Sequence, residues 1–120
     1  MEQRTTDKTD EPQAWRGILR QRALVSALAK RAAKVPTYSV PEAAALLSIS
    51  QEYLYRLIQD DGFPAVRMGT QRRQGGRYVV PAGAVEKLLA RAEASGSVVQ
   101  SADFTADWRA AATAGTGQGA

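Results

Sequence analysis

The sequence predicts a mainly α-helical fold with one small β-hairpin, on the basis of three observations. A capping signature opens a short apolar helix at Ser39, and a second serine opens another helix at Ser50. After Phe63-Pro64 the apolar residues change from a helical period to a period of about two. The chain has 120 residues, 44% of them hydrophobic, which suits one compact domain with flexible ends.

The start of the chain divides into a polar segment and a basic helix. Residues 1–12 are polar and charge-mixed and close with Pro12, so we expect them to be disordered. Residues 13–35 predict an N-terminal helix, because they are rich in Ala, Leu, Arg and Lys and contain no proline. They hold six bases and no acid. Val35 ends this helix, since the residue before a proline (here Pro36) is pushed out of helical geometry.

Two short helices joined by a tight turn come next. Ser39-Val-Pro-Glu42 is a capping box, in which each side chain accepts a hydrogen bond from the backbone amide of the other residue, and we assign it no further role. The first helix continues to Leu47, and Ser48-Ile49-Ser50 forms the turn. The second helix runs from Gln51 to about Asp60, and Gly62 is its predicted C-terminal cap.

A hairpin and a closing helix complete the predicted domain, which covers residues 36–94. Residues 65–68 and 77–80 are short strands around a glycine-bounded loop at 69–76, so they predict a β-hairpin with a long, arginine-bearing tip. A last helix follows over residues 84–94. The expected fold is therefore a mainly α protein with a small β-hairpin, an additional N-terminal helix and a disordered C-terminal tail.

The tail, residues 95–120, consists mostly of small residues and has too little apolar area to form a core of its own. Its large side chains are Phe104 and Trp108, with Asp103 and Asp107 beside them. They are either a short docking motif for a partner or two isolated aromatics on a flexible tail, and the composition favours the second interpretation.

Composition excludes several classes of function. The chain has no cysteine and no histidine, which removes disulfides, ordinary zinc sites and nucleophiles based on either residue. It has no glycine-rich phosphate loop and no pair of carboxylates in an apolar setting, so we expect no enzyme, cofactor, metal or small-molecule substrate. No apolar run approaches the ~18 residues of a membrane span. Because the chain has no cysteine, we expect it to work in a reducing compartment, most simply the cytoplasm. The net charge of +4 and two acid-free basic stretches, 13–35 and 62–81, favour a polyanionic partner.

Two short helices followed by a basic hairpin are the parts of a winged helix-turn-helix. A helix fits the major groove of double-stranded DNA, and a second helix packed across it fixes its angle. Ala43 and Ala44 are small enough for the two helices to approach closely, and Ile49 fills the angle between them. The exposed face of the second helix then carries the candidate contacts Ser50, Gln51, Glu52, Tyr55, Arg56 and Gln59.

These side chains have the chemistry to read bases. Gln51 and Gln59 can pair with adenine, and Glu52 can accept from cytosine. Arg56 can bind guanine or a phosphate, while the N-cap Ser50 leaves free amides beside a phosphate. Tyr53 either packs against the hairpin or approaches a phosphate.

The hairpin, or wing, contributes the candidate contacts Arg67, Arg72, Arg73 and Arg77. The tip arginines can lie along the DNA backbone or enter a minor groove. With four to six phosphate contacts from the whole protein, log K should fall against log [salt] with a slope of about −4 to −5.

An ordered series of local signals resembles the excisionase-type helix-turn-helix domain, which is allied to the MerR-like winged-helix superfamily. The runs that carry the resemblance are Tyr38–Ser50, Tyr53–Ile58, Gly62–Arg67 and Arg77–Pro81, within residues 38–90. The resemblance implies a winged helix on double-stranded DNA, with residues 51–59 in the major groove and the wing in the neighbouring minor groove. It also implies cooperative, often bending, binding to tandem sites by proteins that direct prophage or plasmid excision, with transcription regulators as close relatives. The tip at 69–76 is longer than the family's usual turn, and residues 13–35 lie outside the family domain.

The leading hypothesis is an accessory DNA-binding protein, either an excisionase-like directionality factor or a small transcription regulator. Its further partner would be an integrase, or a second copy on tandem sites. One alternative is the small subunit of a phage packaging terminase, and another is an interaction adaptor that uses the basic helix and the aromatic tail. The basic helix can extend DNA binding, pack as an extra layer or mediate self-association, and the last two roles are favoured.

Overall fold

The structure is a computed structural model that describes residues 2–69 and 77–119, with side chains described at 14–69 and 77–112. Its elements in chain order are α1 (Glu2–Ala32), β1 (Thr37–Ser39), α2 (Val40–Leu47), α3 (Gln51–Gln59), β2 (Val66–Met68), β3 (Arg77–Pro81), α4 (Ala82–Ser95) and α5 (Ser101–Gly119). Helices surround one small antiparallel sheet, which confirms the predicted winged helix-turn-helix. Within the described residues, no helix is long and apolar enough to cross a membrane.

The predicted capping box opens α2. The Ser39 hydroxyl accepts from the Glu42 amide at 3.3 Å, and the Ser39 amide donates to Glu42 Oε1 at 2.8 Å. The helix ends at Leu47, and its C-cap, Ser48, adopts the left-handed conformation with φ of 61°. The next amide, from Ile49, donates back to the Ala44 carbonyl at 3.0 Å, which closes the helix as a Schellman motif. This turn directs the chain into α3.

The end of α3 differs from the prediction that Gly62 caps it. The C-cap is Asp60, and Asp61 takes the left-handed conformation with φ of 60°. The Gly62 amide donates to the Leu57 carbonyl at 2.6 Å. A Cβ at Gly62 would lie 3.3 Å from that carbonyl oxygen, so glycine is favoured here by close approach to the helix end.

The sheet has the strand order β1-β3-β2, with both pairings antiparallel. Strands β2 and β3 form the predicted hairpin. Strand β1 was not predicted, because three residues are too few to show a period. Its pairing partner β3 lies about 40 residues later, with Tyr38 opposite Val80.

The core lies between the sheet, α2, α3 and α4. Tyr38, Leu54, Val80 and Val85 are almost completely buried at its centre. Apolar residues of α2, α3 and α4 meet there in one cluster.

Helix α1 packs across α2. Ala27 is fully buried, while Ser26 and Lys30 hydrogen-bond to the Glu42 carboxylate from the same face. At the end of α1, Arg31 forms an ion pair with Glu86 of α4. The helix begins at Glu2 and so includes the segment for which the sequence predicts disorder.

The C-terminal segment differs from the predicted flexible tail, because it forms α5 and packs on α4. Phe104 is 3% exposed and belongs to the core, and Trp108 is half-buried beside it at 5.9 Å between ring centroids. Ion pairs join Asp107 to Arg91 of α4 at 2.9 Å and Arg109 to Asp61 at 2.7 Å. The prediction was wrong here because the tail needs no core of its own when two aromatics, one turn apart, can add to an existing one.

Candidate nucleic-acid interface

Helix α3 buries one face and exposes the other, as its amphipathic pattern requires. Leu54 and Ile58 point into the core, while Gln51, Glu52 and Arg56 are exposed. Ser50 is the N-cap as predicted, and its hydroxyl accepts from the Tyr53 amide at 3.1 Å. The exposed face is therefore presented on a helix whose start is fixed by a side-chain cap.

An open groove, here called the wing groove, runs between α3 and β3. It brings together five of the predicted contact residues, namely Gln51, Glu52, Tyr55, Arg56 and Arg77. A helix face and a strand of the wing therefore border one concave surface. Arg56 and Arg77 are both exposed there, on different elements.

Two tyrosines of α3 have different surroundings. Tyr55 is half-buried and meets Tyr78 of β3 edge to face, with 5.2 Å between ring centroids and 80° between ring planes. That contact holds α3 against the sheet. Tyr53 is 50% exposed, and the Arg56 guanidinium lies 5.9 Å from its ring centroid.

Two predicted contact residues lie elsewhere. Gln59 and Arg67 border a second groove, the α5 groove, together with Trp108 and Arg109 of α5. Arg67 is opposite Tyr78 in the register of β2 and β3. Gln59 and Arg67 thus lie on a different surface from the five residues of the wing groove, and side chains of α5 line that surface with them. The wing-tip arginines, Arg72 and Arg73, lie outside the described residues.

A third groove, the α1 groove, brings two further arginines to the start of α3. Arg16 and Arg20, four residues apart on one face of α1, border it together with Ser50, Gln51 and Glu52. Gln51 and Glu52 border both this groove and the wing groove. The sequence did not predict Arg16 and Arg20 as contacts, although the acid-free run of residues 13–35 was a signal for them.

The basic side chains of residues 13–35 fall into two groups, those that form ion pairs within the protein and those on the open surface. Lys30 and Arg31 are engaged by Glu42 and Glu86. Among the residues that the structure describes, the other bases of residues 13–35 form no ion pair; they are Arg16, Arg20, Arg22 and Lys34.

The Glu42 carboxylate joins α1 to the helix-turn-helix. Burial by itself raises its pKa, but hydrogen bonds from Lys30 at 2.7 Å, from Ser26 and from Ser39 outweigh that effect. The net result is a pKa lowered from 4.5 to about 2. Glu42 is therefore ionised at neutral pH and holds the position of α1, a role beyond the capping that the sequence predicts.

Comparison with known families agrees with this arrangement. Residues 37–93 match the family model described as the helix-turn-helix domain. The matched segment begins at β1 and ends within α4, so it contains the wing and both short helices but neither α1 nor α5. Helix-turn-helix domains are DNA-binding modules, in which the second helix enters the major groove. Neither a curated protein nor a solved structure matches the chain.

Proposed function

We propose that this protein binds double-stranded DNA sequence-specifically, with α3 in the major groove and the wing against the adjacent backbone or minor groove. The observation that carries the proposal is the wing groove, where an exposed, capped helix face and an exposed wing arginine border one surface. A polar helix face beside arginines offers both base contacts and phosphate contacts.

Within this interface the α3 residues have distinct roles. Gln51 and Gln59 are the candidates for adenine, and Glu52 is the candidate for cytosine. Arg56 binds guanine or a phosphate. Ser50 places the start of α3 against a phosphate, as helix N-termini do in many DNA complexes.

The wing carries the remaining contacts. Arg77 borders the wing groove beside α3, whereas Arg67 borders the α5 groove. Arg72 and Arg73 stand at the tip in the sequence and provide backbone or minor-groove contacts there. Contacts of this kind position the protein and make its affinity depend on salt.

The biological task that we propose is that of an excisionase-like directionality factor or a small transcription regulator. The helix-turn-helix match and the resemblance of residues 38–90 to excisionase-type domains support this choice. The further partner is an integrase, or a second copy on a tandem site.

The structure gives less support to the adaptor alternative than the sequence does. It relies on an aromatic tail that is free to dock, but Phe104 is 3% exposed and packs in the core.

The test is binding to random-sequence duplex, measured by fluorescence anisotropy at increasing salt. We expect log K to fall against log [salt] with a slope of about −4 to −5. Replacing Arg72 and Arg73 together with alanine should reduce that slope by about 2 and weaken binding to every sequence alike. Gln51→Ala or Arg56→Ala should instead change the ranking among selected sites. Absence of salt-dependent binding by the parent protein would falsify the proposal.

A further inference from the structure

Helix α5 presents one side to the α5 groove. The residues on that side have the spacing of one helix face; they are Thr105, Trp108, Arg109 and Ala112. Gln59 of α3 and Arg67 of β2 line the same groove. A helix outside the matched segment 37–93 therefore shares a surface with two of the candidate DNA contacts.

The α5 groove continues the exposed face of α3. At about 100° per residue, Gln59 lies within about 20° of Glu52, which borders the wing groove. Tyr78 borders both grooves. The exposed face of α3 therefore leads from the wing groove to the α5 groove, and DNA that lies along this face comes close to α5.

The C-terminal end of α3 carries two acids and one cation from α5. Asp60 and Asp61 are exposed there, at the negative end of the helix dipole, and by themselves they would repel a phosphate. Arg109 of α5 donates from Nη2 to Asp61 Oδ1 at 2.7 Å. The two side chains are 59% and 71% exposed, and an ion pair so open to solvent adds little to stability. The clearest consequence of the pair is the position of a guanidinium at this end of α3.

We propose that Arg109 binds a phosphate of the DNA backbone beside the C-terminal end of α3, with Asp61 holding its guanidinium in place. The inference rests on the proposed function, because it requires α3 in the major groove. That groove is about 12 Å wide and is bordered by phosphates. Helix α3 has 9 residues and is about 13 Å long, so an arginine at its end is within reach of one border of the groove.

The chemistry of the guanidinium allows both contacts together. It has five N–H donors, so Arg109 can bind Asp61 and a phosphate oxygen at the same time. The contact adds α5 to the interface at the end of α3, whereas Arg16 and Arg20 of α1 border the groove at its start. Phosphate contacts of this kind position the protein on DNA without reading its sequence.

The first test is fluorescence anisotropy with duplexes that the parent chain binds, repeated over a range of salt. Arg109→Ala should weaken binding to every sequence alike and reduce the slope of log K against log [salt] by about 1. Arg109→Lys keeps the charge and should retain most of the slope. The matched control is Arg91→Ala, because Arg91 also pairs with an aspartate of α5, Asp107, but is not among the described residues that line either groove. It should change the slope much less.

The second test separates a phosphate contact from simple neutralisation of Asp61. If Arg109 acted only by cancelling the charge of Asp61, Arg109→Ala would have no effect in a chain that carries Asp61→Asn. Asparagine tolerates the left-handed conformation of residue 61, and its side-chain oxygen can still accept from Arg109. We expect Arg109→Ala to reduce the slope in this background as well, with far-ultraviolet circular dichroism to show that each variant folds.

Two results would overturn the inference and leave the proposed function intact, provided that the parent chain shows salt-dependent binding. One is an equal slope for Arg109→Ala and Arg91→Ala. The other is a loss of slope that disappears in the Asp61→Asn background. Absence of DNA binding by the parent chain would overturn both the inference and the proposed function.

Discussion

Glu42 combines a local role with a long-range one. Its position three residues after Ser39 makes it part of a capping box, and the same carboxylate accepts from Ser26 and Lys30 of α1. The side chain is 7% exposed, so losing the Lys30 ammonium would leave a buried carboxylate without its charged partner. A single residue thus links the start of α2 to the position of α1.

Stability should therefore depend on the ionisation of Glu42. Its pKa is lowered from 4.5 to about 2 in the folded protein. Ionised Glu42 therefore contributes about 3 kcal/mol to the free energy of unfolding. This contribution is present above pH ~4.5 and is lost as the pH falls towards ~2. The Glu42→Gln variant should have a lower free energy of unfolding than the parent at pH 7, and the two values should be closer near pH 2. Urea unfolding across this pH range measures both. Glu93→Gln, an exposed carboxylate of α4, is the control and should leave the profile unchanged.

Tyr55 lies in the wing groove, and its ring packs on Tyr78. We expect the ring rather than the hydroxyl to matter for DNA binding, because the ring sets the angle between α3 and the wing. Tyr55→Phe should keep both stability and affinity. Tyr55→Ala should lower the free energy of unfolding by about 1–3 kcal/mol and weaken DNA binding. Strong loss of affinity in the phenylalanine variant, with stability retained, would instead assign a DNA contact to the hydroxyl.

At the scale of elements, α5 is an integral part of the fold. Its aromatics lie one turn apart, and cations of α4 lie over their rings, with Arg91 5.0 Å from the Phe104 centroid and Lys87 5.3 Å from that of Trp108. Thr105 is buried, and its hydroxyl donates to the Ser101 carbonyl. The helix therefore covers the core beside α4 without leaving this polar group unsatisfied.

Removal of the Phe104 ring should show this role directly. Phe104→Ala should lower the free energy of unfolding by about 3–4 kcal/mol, since it leaves a cavity in the core. Val98→Ala, at a side chain that is 88% exposed, should change it by less than about 0.5 kcal/mol. Urea unfolding of the full chain measures both. Equal, small effects would mean that α5 contributes little to the core.

At the scale of the whole molecule, basic side chains flank the exposed face of α3 on two sides. Arg56 and Arg77 border the wing groove, and Arg16 and Arg20 border the α1 groove. The start of α3 stands between the two grooves. If α3 enters the major groove, the α1 arginines are placed to reach the phosphates beside its N-terminal end.

We expect α1 to contribute to DNA affinity without affecting sequence preference. Arg16→Ala with Arg20→Ala should reduce the salt slope by about 2 and leave the ranking of sites unchanged. The control is Arg22→Ala with Lys34→Ala, which removes the same amount of charge at positions that do not border the α1 groove. It should reduce the salt slope much less. Anisotropy titrations over a range of salt compare the two pairs. Equal slopes for both would show that α1 acts only through net charge.

Local signals predicted the central part of the fold correctly. The capping box, the Ser50 cap, the hairpin strands and the last helix of the domain, α4, are each encoded within a few neighbouring residues. Capping and apolar period are short-range properties, so they can be read without knowing the fold. The sequence by itself therefore determined the helix-turn-helix and the polar face that α3 exposes.

The tertiary structure decided which of these residues meet. It paired β1 with β3, buried Phe104, and set Gln59 and Arg67 on a different surface from Arg56 and Arg77. It also brought Arg16 and Arg20 of α1 to the start of α3 and left the opposite side of α1 uncovered. Each of these facts depends on contacts between segments far apart in the chain, and such contacts have no signature in any local window of sequence.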